Sequence, residues 1–156
     1  MEPRVSFITL GVTELTRATR FYCDVLDFDL LPSSAADVSF FALGDLRLAL
    51  YPRQLLAAVA GVDNVPDSGA GVAAGPTFAL SHNVDSAAAV DALLAHVQQH
   101  AGPYGCRLTR AGAATAWGGY MGYFADPDGF LWEVVWNPAY DGRPDRRALP
   151  FAGGER

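Results

Sequence analysis

Glu133 interrupts an otherwise apolar run, Leu131-Trp132-Glu133-Val134-Val135-Trp136. Burying an acid in a strand is costly unless something pairs with it or uses it. The residue alone supports three readings. It is a hydrogen-bond anchor for a ligand, a general base whose pKa burial has raised, or an acid satisfied by a neighbouring side chain. The histidines offer weaker chemistry. His96 and His100 stand four apart, a spacing that can bind metal on a helix, but no Glu-x-x-His-like context accompanies them. His82 shares strand parity with Phe78, Leu80 and Val84, so it reads as a hydrogen-bonded histidine in or beside the core, with a ligand role as the alternative. Cys23 and Cys106 are isolated and read as reduced structural thiols.

The elements that must position these groups follow from period and punctuation. A strand is expected over 5–12, with Ser6, Ile8, Leu10 and Val12 on one face and Val5, Phe7, Thr9 and Gly11 on the other. A helix follows from about Leu15 to Leu26, with Thr13 or Glu14 at its N-terminus and Leu15, Ala18, Tyr22 and Val25 toward the core. Asp27 stands at the terminating position, where Asp tolerates the left-handed conformation better than most residues. Strands are expected near 29–33, 38–43 and 46–51, then a short helix over 53–60 and a Gly/Asp/Pro-rich loop over 61–75. The pattern then restarts. A strand over 77–84 and a helix opened by Asp85-Ser86, with Val90, Leu93, Leu94 and Val97 as its stripe, precede strands near 107–110, 118–125 and 130–136. In Asp126-Pro127-Asp128-Gly129, Pro127 suits the second position of a tight turn and Gly129 the positive φ that a hairpin loop needs.

With 156 residues, 51% of them hydrophobic and 18% charged, the chain fits one packed domain. Its net charge of −6, with no cluster of Lys or Arg, argues against nucleic acid as a partner. No signal peptide and no apolar stretch long enough for a bilayer is read, so a cytoplasmic protein without a membrane partner is expected.

Two runs carry a resemblance. Trp117-Gly118-Gly119-Tyr120-Met121-Gly122-Tyr123-Phe124-Ala125 followed by Asp-Pro-Asp-Gly and the Glu133 strand resembles the closing hairpin of the vicinal oxygen chelate superfamily, which includes glyoxalase I, extradiol dioxygenases and bleomycin-resistance proteins. The segment Phe7-Ile8-Thr9-Leu10-Gly11-Val12, with Phe21-Tyr22 and Val25-Leu26-Asp27-Phe28 after it, resembles the family's opening strand and helix. The resemblance covers roughly residues 4 to 138 and implies an α+β fold. Two paired βαβββ modules, about 4–60 and 76–138, would form a curved mixed sheet around a ligand cup. A C-terminal tail, 139–156, follows the single domain of 1–138.

The resemblance also implies where a metal would sit in relatives, on His or similar ligands from the first strand of each half and on an acid near each half's end. Here those positions hold Phe7, Ala79, Ala49 and Glu133, and only the last can ligate. No cofactor and no metal are therefore expected. By the same resemblance Glu133 points into the cup. Phe7, Phe41, Tyr51, Trp117, Tyr120 and Tyr123 are candidate walls, with plain core packing as the alternative for each. Thr9 shares the Phe7 face, and Arg47 or Arg110 could answer Glu133 or an anionic ligand. The expected function is metal-independent binding of a small organic molecule by a homodimer. The alternative is a lyase, isomerase or dioxygenase-like enzyme using Glu133 as acid/base or as metal ligand.

Overall fold

The computed structural model describes residues 5–62, 78–100 and 102–139. The first half comprises β1 (Phe7–Val12), α1 (Leu15–Asp24), β2 (Ser39–Leu43), β3 (Leu46–Pro52) and α2 (Arg53–Ala60). The second comprises β4 (Ala79–Asn83), α3 (Ala87–His100), a 3₁₀ turn at Gly102–Tyr104, β5 (Arg107–Ala114), β6 (Tyr120–Ala125) and β7 (Leu131–Trp136). Each half folds its opening strand parallel to its closing one. The first sheet is ordered β1-β3-β2 and the second β4-β7-β6-β5.

Local chemistry explains the ends of these elements. Glu14 caps α1, its carboxylate accepting from the amides of Thr16 and Arg17 at 3.0 and 2.6 Å. Asp27 takes a left-handed φ of 58° just past the helix, as its position in the sequence suggests. Ser86 opens α3 by accepting from the Ala89 amide. The expected strand near 29–33 does not form. Only a bridge between Leu30 and Phe41 is made, with the Leu31 amide on the Phe40 carbonyl at 2.8 Å. Pro32 follows immediately and has no N–H with which to continue the ladder. The first half is therefore βαββ with a bridge, not βαβββ. The tail, and the loop from 63 onward, lie outside the described residues.

One core serves both halves. Tyr22 of α1 packs on Phe41 of β2 at 5.7 Å and on Trp132 of β7 at 6.1 Å, and Phe28 touches the same two rings. Phe21 and Tyr22 are fully buried, as are Val90 and Val97 of α3. The β6–β7 hairpin adds a polar link to this shared core. Its turn closes with the Gly129 amide on the Asp126 carbonyl at 3.0 Å, with Gly129 at φ 90°. Asp126 is 1% exposed. One of its oxygens accepts from the amides of Asp128 and Phe130, and the other from the Tyr22 hydroxyl at 2.7 Å. Asp128 accepts from the Thr13 amide at 2.6 Å and faces the Arg17 guanidinium at 3.6 Å. Thus α1 of the first half is bonded to the closing hairpin of the second.

Candidate functional site

Strand pairing builds a polar row across the whole second sheet. Ser81 on β4 stands opposite Glu133 on β7, Glu133 opposite Tyr123 on β6, and Tyr123 opposite Arg110 on β5. Residues opposite one another share a face. The other face of these strands carries Leu80, Phe124, Trp132 and Val134, all in the core. The row therefore lies on the open face. Ser81 and Arg110 are exposed, while Glu133 and Tyr123 are half-buried.

Glu133 is held by two hydroxyls. Ser81 donates to one carboxylate oxygen and Tyr123 to the other, each at 2.5 Å. That hydrogen bond is the main reason the Tyr123 phenol is pushed above its ordinary pKa, with burial second and the nearby Arg110 charge opposing. Tyr123 therefore stays protonated and donates at neutral pH. The sequence offered Arg47 or Arg110 as partners for Glu133; register instead supplies the hydroxyls of Ser81 and Tyr123. Tyr123 was legible only as a possible wall. The pairing of both hydroxyls with Glu133 depends on strand register, which two-residue periodicity alone does not fix.

The expected site residues divide by face. On the first sheet Phe7, Thr9 and Tyr51 share the open face with Arg47, because Phe7 pairs with Arg47, Thr9 with Ala49 and Gly11 with Tyr51. Phe7 is 46% exposed, with the Arg47 guanidinium 5.8 Å over its ring and Phe40 edge-on at 5.8 Å. Phe41 does not join them. It is fully buried against Tyr22 and Phe28, and its neighbour Phe40 takes the open face instead. Tyr120 is also on the other side. Its hydroxyl bonds the Asp91 carboxylate on α3 at 3.1 Å, and its ring packs against the core. Alternation along β6 sends Tyr120 and Phe124 inward while Met121 and Tyr123 face out. Trp117 sits in the β5–β6 turn and is 53% exposed. A Cβ on Gly119 would overlap its ring, so that glycine makes room for it.

The remaining candidates fall outside the row. His82 is exposed on the edge strand β4, on the parity of Leu80 and opposite Val134. His96 bonds the Val25 carbonyl at 2.9 Å, and His100 stacks on it with ring centres 4.4 Å apart. Both cysteines are free. Burial pushes the Cys106 thiol up to about 12, which removes it as a nucleophile at neutral pH. Among the described residues no three His, Cys, Asp or Glu side chains converge as a metal cluster. Phe7, Ala49 and Ala79 present no donor atom, and both Glu133 oxygens are engaged by hydroxyls. The residues present do not fit a resident transition metal.

A family model described as the Glyoxalase/Bleomycin resistance protein/Dioxygenase superfamily matches residues 4–134. Solved structures share the fold. A glyoxalase-related enzyme from Fulvimarina pelagi is 29% identical with a TM-score of 0.73, over 87% of this chain and 89% of its own. A glyoxalase/bleomycin resistance protein/dioxygenase family enzyme from Burkholderia phytofirmans is 19% identical with a TM-score of 0.67, over 84% and 96% of the two chains. A lactoylglutathione lyase from Agrobacterium tumefaciens is 21% identical with a TM-score of 0.62, over 86% and 94%. No curated protein matches the sequence.

Proposed function

Because the chain belongs to the Glyoxalase/Bleomycin resistance protein/Dioxygenase superfamily, we propose that it binds a small organic molecule on its open sheet faces without a catalytic metal. One observation carries the reading. The open faces hold Phe7, Ala49 and Ala79 where the resemblance places metal ligands, while Glu133 is bonded to Ser81 and Tyr123. Aromatic and hydroxyl groups of this kind bind flat or partly apolar ligands. Two copies of the chain form the working unit in this proposal, so that the open face of one sheet is completed by that of a second copy. The exposed Phe7, half-buried Phe40 and exposed Trp117 support it as apolar surface left uncovered in a single chain.

A second reading is favoured by the Glu133–Tyr123 bond. An enzyme of the superfamily, a lyase or an isomerase, would use Glu133 as proton acceptor and Tyr123 as donor, two groups of opposite role within hydrogen-bond reach. Elemental analysis with native mass spectrometry on the purified protein tests the first reading. The expected result is a metal-free dimer that takes up small organic molecules. One transition metal per chain overturns it. Glu133→Gln then separates binding from catalysis. A binder loses affinity, whereas an enzyme keeps its substrate and loses turnover.

A further inference from the structure

Two groups of opposite charge stand in the same row of the second sheet without ion-pair partners among the described residues. Glu133 is bonded only to the neutral hydroxyls of Ser81 and Tyr123. Arg110 stands exposed opposite Tyr123. Among the described residues no cation lies within ion-pair distance of Glu133, and no carboxylate within that distance of Arg110. Their backbones are two strand spacings apart, roughly 9–10 Å, with the Tyr123 strand between them.

The placing of Arg110 depends on an irregularity. Leu108 pairs with Phe124 on the core face, and a regular strand would then put Thr109 opposite Tyr123. The register slips at this point, so that Arg110 takes the position instead. An extra residue of this kind re-aims a side chain, here a guanidinium that would otherwise point at the core. Glu133 still has acceptor capacity. A carboxylate offers about four lone-pair sites, and hydroxyls fill only two of them. An N–H-bearing cation matches the remainder. A carboxylate matches the guanidinium fork of Arg110.

We infer that this face binds a ligand carrying both charges, an ammonium seated on Glu133 and a carboxylate on Arg110, for which a short peptide with free termini is the simplest probe. The inference rests on the ligand-face reading above and adds the ligand's charge pattern to it.

A matched set of glycyl-phenylalanine probes tests this by NMR chemical-shift titration of the full chain. The set comprises the free dipeptide, its N-acetyl form, its C-terminal amide and the doubly capped form. The free dipeptide should bind about tenfold more tightly than either singly capped form. Glu133→Gln should abolish the penalty for N-acetylation alone, and Arg110→Gln the penalty for amidation alone, with both variants melting like the parent protein. Doubly capped peptide binding as well as the free one overturns the charge pattern and leaves the ligand-face reading standing. Binding of none of the four also overturns the inference, and native mass spectrometry then judges the ligand-face reading separately.

Discussion

Asp126, not Glu133, is the most deeply buried acid among the described residues. Burial is the largest influence on it and pushes its carboxyl up to about 6 from 3.8, against the stabilising hydrogen bonds from Tyr22, Phe130 and Asp128. For an acid with a raised native pKa, the native state keeps its proton between the two values while the unfolded chain has lost it. Stability from this group is therefore greatest below about pH 4 and falls as pH rises to about 6, then levels off. Two pKa units correspond to roughly 3 kcal/mol as an upper order of magnitude. Asp126→Asn keeps an acceptor for the two turn amides and cannot titrate. Urea unfolding at a series of pH values should show the variant's stability rising relative to the parent's as pH passes from 4 to 7. A difference independent of pH would show that Asp126 does not titrate in this range. The sequence drew attention to Glu133 because an acid in an apolar strand is conspicuous, while Asp126 was read only as part of a turn. Turn residues are ordinarily solvated. Here the Tyr22 hydroxyl and the core behind it enclose the carboxylate, and that contact joins residues more than a hundred positions apart.

At the scale of elements, parity decided which residues reach the open faces. The face shared by Phe7 and Thr9 was legible from alternation along β1, while the open-face position of Glu133 came from the family resemblance. Phe41 was misplaced because it stands beside Phe40, an aromatic of opposite parity, and Tyr120 because the same strand carries Tyr123 on the opposite parity; only strand pairing distinguishes the faces. Arg110 was named from the sequence as a possible partner for Glu133 or an anion, but its direction was illegible, since a slipped register follows no two-residue pattern. The turns were legible because their chemistry is local. Two substitutions examine this local chemistry. Glu14→Ala removes the side-chain cap from the Thr16 and Arg17 amides and should cost about 1 kcal/mol in urea unfolding. An unchanged midpoint would mean that water serves those amides equally well. Gly119→Ala would drive a methyl into the Trp117 ring and toward the Trp136 carbonyl, which should cost about 1–3 kcal/mol and shift Trp117 emission. Parent-like stability and emission together would show that the ring does not rest on Gly119.

For the whole molecule, two halves of similar plan behave as one unit because they share side chains rather than merely adjoin. The sequence suggested this through the restarted strand–helix pattern and a length and composition that fit one packed domain, but not through which groups would join the halves. Those joins are Tyr22 and Phe28 packed between Phe41 and Trp132, the Tyr22 hydroxyl on Asp126, and the amide of Thr13 on Asp128. Removing either half would leave the other's buried aromatic surface exposed, a loss too large for a module of this size to absorb. Unfolding should therefore be a single transition, with near-ultraviolet circular dichroism and far-ultraviolet circular dichroism coincident in urea. Tyr22→Phe and Asp126→Asn, made singly and together, measure the join directly. A coupling of about 1 kcal/mol or more is expected from a buried hydrogen bond to a charged acceptor. Separate transitions for the two probes would show that the halves fold independently. Additive effects in the cycle would mean that packing of the rings, and not the Tyr22–Asp126 bond, holds them together.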